Sequence, residues 1–392
     1  MSVVYAQGFS TAGVRGGISS VPGKKDVTLV VNEGPLFVAA GVFTANRFAA
    51  APVQYSRGVV ASGRAKAMVI NSGGANACTG ETGLAQVYET AAHAASVLGS
   101  DFASEDVLVA STGLIGELLP LDAVFAGVTK AAGALASDEA AGQAAAEAIM
   151  TTDTKPKTVT LDGTGYRMGG MVKGSGMIAP QLATMISVIT TDAVVSSELA
   201  QEALKTGTST SFDCIDVDGC MSTNDTVILL ASGASGVEPD VDEFKALVAQ
   251  ACASLARQII GDGEGSSHDI RVRVTGAESY EAALACGRAV SASNLLKCAI
   301  YGNDPNWGRV VSSLGTVPED VAAFDPNNVT VDINGIRVCD GGKPGQSREL
   351  VSMAEREVHI DIDLGTSGTA EATVWTDDLT LDYVHINADY ES

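Results

Sequence analysis

The chain has 392 residues, of which 46% are hydrophobic, 5% are aromatic and 43 are glycine; that is enough for a large core of small aliphatic side chains, and length alone suggests two or three domains. Asp and Glu number 47 against 24 Lys and Arg, a formal net charge of −23 with no basic stripe, which argues against nucleic-acid binding by phosphate neutralisation. No basic leader followed by an apolar run opens the chain, and no stretch of about 18 apolar residues interrupts it, so a cytoplasmic location with no membrane partner is expected.

Short apolar runs with turn residues at their ends predict strands over Val27–Val31, Phe37–Thr44, Ala67–Asn71 and Val107–Ser111. Alanine-rich segments with a helical period predict helices over Glu81–Leu98, Leu121–Leu135 and Glu139–Met150. A short apolar run, Met185–Ile189, predicts a buried strand, followed by a helix over Ser197–Thr206 and a strand over Thr226–Ala231. Asp240, with Glu243 three residues on, predicts the capped start of a helix reaching Ile260. Ile270–Val274 is a predicted strand and Glu278–Ala292 a helix. Val358, Ile360, Ile362 and Leu364 alternate with His359, Asp361 and Asp363, the pattern of a strand wet on one face, and Leu379–Ile386 is a further predicted strand. With no internal repeat and no linker, a mixed α/β fold of layered sheets and helices is expected.

The seven cysteines, Cys78, Cys214, Cys220, Cys252, Cys286, Cys298 and Cys339, are odd in number and form no C-x-x-C, so buried reduced thiols are expected rather than disulfides or zinc. His93, His268, His359 and His385 show no metal-ligand spacing, and no metal is expected.

Residues 173–184 read Lys-Gly-Ser-Gly-Met-Ile-Ala-Pro-Gln-Leu-Ala-Thr. A glycine-loosened loop thus delivers Thr184 to the start of a buried strand, with the small Ala183 before it. A threonine hydroxyl alone is a poor nucleophile, but cleavage of the Ala183–Thr184 peptide would free an α-amine within reach as its base. The plainer alternative is a glycine loop entering a core strand. Gly174, Gly176 and Ala179 also fit G-x-G-x-x-A, but Pro180 and the β-like run after it oppose the helix that a dinucleotide site needs. No phosphate-binding G-x-x-x-x-G-K-[ST] occurs.

Ser111-Thr112-Gly113, after a predicted strand, could aim N–H groups and a hydroxyl at one point as an oxyanion hole, or be an ordinary turn. Thr151-Thr152-Asp153-Thr154 closes a predicted helix, where hydroxyls would satisfy loose carbonyls. Gly261-Asp262-Gly263-Glu264-Gly265 could hold an ammonium group, or be an exposed turn. Trp307, within Asn303–Arg309, could wall a pocket or pin a loop, and the tail Asn387–Ser392 is expected to fray.

Together, Lys173–Thr184, Ser111–Gly113, Met150–Thr154, Asp262–Gly265, Asp304–Arg309 and Asn387–Ser392 resemble the ornithine acetyltransferase (glutamate N-acetyltransferase) family of arginine biosynthesis over nearly the whole chain. The resemblance implies an α/β fold of the DmpA/ornithine-acetyltransferase-like, N-terminal-nucleophile kind. It implies self-cleavage into an α fragment, residues 1–183, and a β fragment, residues 184–392. Thr184 would take acetyl from N2-acetylornithine, release ornithine and pass the group to glutamate in a ping-pong cycle. Thr112 and Gly113 match the family's oxyanion pair; Thr151, Lys173, Thr184, Glu264, Asn387 and Ser392 match its substrate contacts. Glu264 would meet the charged amine end of the substrate, and Lys173 would serve its carboxylate or keep the Thr184 amine unprotonated. No cofactor is implied, acetyl-CoA is allowed as a second acetyl donor, and two αβ pairs are implied as an α2β2 assembly.

Two stretches depart from the family pattern: Asn71–Ala77, which lacks an asparagine near Gly74, and Ser266-Ser267-His268-Asp269, where a lysine is common after Gly265. Two other readings stay open from the residues alone: an N-terminal-nucleophile aminopeptidase or amidase of related fold, and a non-catalytic binding protein for a cationic amino acid.

Overall fold

The computed structural model describes residues 2–179 and 185–389. The expected cleavage peptide Ala183–Thr184 and the tail residue Ser392 lie outside the described residues. The chain forms two compact units, one from the described residues within 1–213 and 221–259, the other from those within 214–220 and 260–391. Among the described residues no helix is long and apolar enough to cross a membrane.

The first unit holds two sheets. One runs β1 (Phe9–Val14), β2 (Val27–Asn32), β4 (Ala67–Gly74) and β5 (Val107–Leu114). Its strands pair antiparallel except β4 with β5, which are parallel. The other runs β3 (Val38–Phe43), β10 (Thr226–Ala231), β8 (Ile186–Thr191), β7 (Arg167–Lys173) and β6 (Lys157–Asp162). Here β8 and β10 are parallel and every other pair is antiparallel.

Val30, Met68, Val109, Met171, Val188 and Ile228 from both sheets share one core. Every residue of β2, β8 and β10 is buried, as expected of strands covered on both faces. Helices α1 (Ala51–Val60), α2 (Gly80–Leu98), α3 (Leu121–Ala132) and α4 (Glu139–Ala148) pack against the first sheet, and α5 (Ser197–Ser209) against the second. Gly207 of α5 gives close approach to Ala249 of α6 (Val241–Ile260), where a methyl would meet the Ala249 Cα at 3.2 Å.

Lys173, ending β7, pairs with Ile186, starting β8. The expected cut therefore falls in the connection between two strands already joined in one sheet. Severing that connection leaves the β7–β8 ladder intact, so the sheet itself would hold the two fragments together.

The second unit is built on a sheet in the order β14 (Lys343–Pro344), β13 (Ile336–Asp340), β12 (Thr330–Ile333), β15 (Glu357–Asp363), β11 (Asp269–Ala277), β16 (Ala370–Asp377) and β9 (Ile215–Asp216). Val358, Ile360 and Ile362 of β15 join Val272, Val274 and Val331 in its core. Helices α7 (Tyr280–Ser291), α8 (Asn294–Tyr301) and α9 (Trp307–Leu314) contribute Cys286, Ile300 and Val310 to the same core. Trp307 pins this layer as the first residue of α9, whose cap Asn306 accepts from the Arg309 N–H at 3.2 Å.

Most predicted elements stand, Thr226–Ala231 to the residue. The Asp240 cap is real, its carboxylate accepting from the Asp242 and Glu243 N–H groups at 3.0 Å each. The reciprocal half of the box is absent, because Glu243 accepts instead from the Thr164 N–H at 2.7 Å. Three expectations are corrected. Leu379–Ile386 is not a strand: Thr380 accepts from the Tyr383 N–H at 3.0 Å and starts helix α10 (Leu381–Asp389). Ser111-Thr112-Gly113 is not a free turn but the end of β5, which continues because β4 pairs with it through Gly74. Among the described residues no cysteine forms a disulfide, yet Cys78, Cys220 and Cys298 are exposed rather than buried.

Candidate active site

The parallel strands β4 and β5 end side by side, and their ends make the first wall of the site. Gly113 has φ +133°, a region that disfavours side chains. A Cβ there would sit 2.5 Å from the Gly73 carbon and the Gly74 nitrogen, so only glycine lets the strands meet this closely. The register slips at Gly73–Gly74, a bulge that re-aims the strand end. Asn71 fastens it: its Nδ2 donates to the Gly74 carbonyl at 3.0 Å, and the Ser111 hydroxyl donates to its Oδ1 at 2.6 Å. Thr112 is buried at this end.

Lys173 ends β7 and is buried, and its Nζ donates to the Thr112 Oγ1 at 3.4 Å. The next residue, Gly174, gives its N–H to Asp153 Oδ1 at 2.7 Å. The same carboxylate accepts from Lys157 Nζ at 2.5 Å and, through Oδ2, from the Thr151 N–H at 3.0 Å. Burial alone would raise the Asp153 pKa, but Lys173, Lys157 and the Gly174 N–H hold it below the ordinary value of 3.8. Ser175 then joins Thr152, hydroxyl to hydroxyl, at 2.8 Å. The loop that leads toward residue 184 is thus tied at two successive residues to the segment after α4. Further along it, Met177 adopts φ +55°, uncommon for a side chain of that size.

This corrects the expectation for Thr151–Thr154. The Asp153 carboxylate, more than the threonine hydroxyls, organises the segment. Thr151 is placed by its N–H on Asp153 and by its carbonyl, which accepts from Lys24 Nζ at 3.3 Å. Burial lowers the Lys24 pKa. Ser72 of β4 donates to the Ala148 carbonyl at 2.9 Å and fixes the end of α4 against the same strand. Beside Gly73, the buried Asp26 gathers the N–H groups of Gly16, Gly17, Ile18 and Ser19 at 2.5 to 3.1 Å, shaping the loop that passes over the bulge.

In the second unit, Glu264 and Asn387 come together, Asn387 Nδ2 donating to Glu264 Oε2 at 2.8 Å. Gly265 has φ +64°, and a Cβ there would fall 2.5 Å from the Tyr383 nitrogen. The Thr380 hydroxyl donates to the Gly265 carbonyl at 2.7 Å. The glycine loop is therefore packed under the first turn of α10 and is not a freely exposed turn; Asp262 in it is buried.

Of the predicted site residues, Thr112, Gly113, Thr151 and Lys173 are gathered in the first unit, and Glu264 and Asn387 in the second. Ala183, Thr184 and Ser392 lie outside the described residues. Sequence reasoning missed Asp26, Asn71, Asp153 as a centre, Asn224 and Asp225. Asn71 and Asp153 lay inside stretches already singled out; for Asp26, Asn224 and Asp225 the burial of a carboxyl or amide has no local signal.

A buried ammonium beside a hydroxyl at a glycine-permitted strand end can stabilise negative charge that develops on a nearby oxygen. A family model described as the ArgJ family matches residues 10–392, and the chain belongs to that family. The arginine biosynthesis bifunctional protein ArgJ of Bifidobacterium longum (strain NCC 2705) is 70% identical over 393 aligned residues, covering 100% of both chains. That of Streptomyces coelicolor (strain ATCC BAA-471 / A3(2) / M145) is 53% identical over 392 residues, again covering 100% of both. Among solved structures, the ornithine acetyltransferase of Mycobacterium tuberculosis complexed with ornithine is 44% identical, with a TM-score of 0.45 over 47% of this chain and 96% of that one. The resemblance read from the motifs and the family match agree.

Proposed function

We propose that the protein is a glutamate N-acetyltransferase of arginine biosynthesis, acting in the cytoplasm. In this reading it cleaves itself at Ala183–Thr184 and moves acetyl from N2-acetylornithine to glutamate through an ester on Thr184. The observation that carries it is the family match over residues 10–392, with relatives named as arginine biosynthesis bifunctional proteins aligned end to end. The placement of Lys173 3.4 Å from Thr112 at the end of β7 supports it.

The Thr184 hydroxyl attacks the acetyl carbonyl while the freed α-amine takes its proton. The Thr112 hydroxyl and the Gly113 end of β5 meet the developing oxyanion, with Lys173 beside them. As the C–N bond breaks, the ammonium returns its proton to the leaving nitrogen and ornithine departs. The amine of glutamate then attacks the ester and loses a proton to the Thr184 α-amine; the ester C–O bond breaks, the ammonium returns that proton to the Thr184 oxygen, and N-acetylglutamate leaves. Glu264 is assigned to the side-chain ammonium of ornithine, and Thr151, Asn387 and Ser392 to the remaining polar groups. Acetyl-CoA is a second acetyl donor in the bifunctional form of this reading, and the folded fragments assemble as α2β2.

Intact mass spectrometry after incubation with N2-acetylornithine tests this directly. Two fragments, 1–183 and 184–392, are expected, with one acetyl group on the second. Thr184→Ala is expected to leave one uncut, inactive chain. An acetyl group on another residue, or cut protein from Thr184→Ala, overturns the assignment.

A further inference from the structure

Leading into β10 the chain buries five polar residues in succession, Ser222, Thr223, Asn224, Asp225 and Thr226. Consecutive side chains in an extended segment point to opposite sides, and two of these reach different parts of the site. Asn224 Nδ2 donates to the Ala75 carbonyl at 2.6 Å and to the Ser111 carbonyl at 2.8 Å. Its Oδ1 accepts from the Thr223 hydroxyl at 2.6 Å, which fixes the amide's orientation. Ala75 follows the Gly73–Gly74 bulge and Ser111 precedes Thr112. One amide therefore clamps both strand ends where Gly113 meets Gly73, and the Ser111–Thr112 peptide plane is set by it.

Asp225 faces the other strand. Its Oδ1 accepts from the Met185 N–H at 3.0 Å, and the Met185 carbonyl accepts from the Thr226 N–H at 3.1 Å. Met185 directly follows Thr184 in the chain. Asp225 Oδ2 is buried with no hydrogen-bond partner among the described residues. The Thr44 hydroxyl, which donates to the Ser222 carbonyl at 2.6 Å, also lies beside this carboxyl and lowers its pKa.

We infer that Asn224 and Asp225 are positioning residues for acyl transfer: a single dipeptide that sets the spacing between the Thr112–Gly113 strand end and the start of β8. The inference rests on the proposed role of Thr184 as nucleophile. An oxyanion donor works only within a few tenths of an ångström of where the charge develops, so a rigid ruler between donor and nucleophile acts on the chemical step more than on binding. Burial pushes the Asp225 carboxyl well above the ordinary carboxylate range, and the Met185 N–H, the Thr44 hydroxyl and Lys173 pull it back without cancelling that. The geometric role of the side chain is to accept the Met185 N–H at the start of β8.

The test uses the full chain. Asn224→Asp, Asn224→Ser, Asp225→Asn and Asp225→Ala are compared with the parent for extent of self-cleavage, kcat and KM with N2-acetylornithine and glutamate, and melting temperature. Asn224→Asp sets a carboxylate against two carbonyls. It is expected to lower kcat about 100-fold or more, with KM within about threefold. Where it accumulates uncut, the slowed cleavage reports the same loss; where it does not fold, Asn224→Ser gives the same split. Asp225→Asn keeps an acceptor for Met185 and is expected to recover turnover to within about tenfold of the parent, whereas Asp225→Ala loses about 100-fold or more. Both Asn224 variants turning over within about threefold of the parent, or Asp225→Asn no better than Asp225→Ala at equal melting temperature, would overturn the inference. Losses that merely follow the folded fraction would overturn it too. Thr184→Ala run beside them keeps the two failures apart: transfer by that variant removes the nucleophile reading, whatever the Asn224 series shows.

Discussion

The regions around Asp153 and Asp225 both bury a carboxyl and shift its pKa in opposite directions. Asp153 receives Lys157 Nζ and the N–H groups of Gly174 and Thr151, with Lys173 nearby. Asp225 receives one N–H and leaves an oxygen without a donor among the described residues. Depth does not decide the charge; the number and sign of the donors do. The difference also divides the labour. The ionised Asp153 gathers cations and backbone donors and so shapes the loop after Lys173. Asp225, whose charged form burial disfavours, holds the start of β8 through the Met185 N–H.

The largest effect is expected from neutralising the wrong partner. Asp153→Asn leaves the buried Lys157 ammonium without its carboxylate, and breaking a buried pair in this way costs about 3–5 kcal/mol. Urea unfolding at neutral pH measures it. A loss below about 1 kcal/mol would mean that Asp153 is not the ionised centre of the segment.

A smaller, pH-dependent effect separates the two carboxyls by sign. Asp225 has a folded pKa above the ordinary 3.8, so above that value the folded state holds a proton that the unfolded state has released. Stability then falls as pH rises through the window, by up to about 1.4 kcal/mol per pH unit. Asp225→Asn removes this slope, and its stability relative to the parent is expected to improve as pH rises from the ordinary 3.8 toward the folded value. Asp153 works the other way: its folded pKa lies below 3.8, so its stabilisation is present above that value and is lost as pH falls through the folded one. Urea midpoints of parent and Asp225→Asn against pH provide the test; parallel curves would mean that the Asp225 pKa is not raised.

How much of this was legible in the sequence follows from how local each signal is. Thr226–Ala231 announces itself because a run of β-formers is a property of six neighbours. Thr112, Gly113 and Lys173 were legible as motifs. The partners that fix them were not: Asn224 reaches Ser111 across 113 residues, and Asp225 reaches Met185 across 40. Without the fold, Ser-Thr-Asn-Asp-Thr reads as an exposed loop, because buried carboxyls are rare and nothing nearby declares the burial. The strand expected over Leu379–Ile386 failed for a local reason. Apolar residues in a short segment fit a helix as well as a strand, and the Thr380 cap tips it to helix.

The smallest effect is expected in the second unit, where the comparison extends to an exposed pair. Asn387 donates to Glu264 at 2.8 Å, but Asn387 is exposed and Glu264 only half-buried. Water competes for both groups, so the contact is weak and the carboxylate can turn to a cationic ligand with little loss. What fixes Glu264 is its backbone, through the Thr380 hydroxyl on the Gly265 carbonyl and the left-handed Gly265 beneath Tyr383. Asn387→Ala is therefore expected to raise KM for N2-acetylornithine no more than about fivefold and to leave the melting temperature unmoved. Gly265→Ala, which drives a methyl to 2.5 Å from the Tyr383 nitrogen, should raise KM further and lower the melting temperature. If Asn387→Ala proved the more damaging of the two, the side-chain bond rather than the glycine loop would be what places Glu264, and this exposed carboxylate would behave like the buried Asp153.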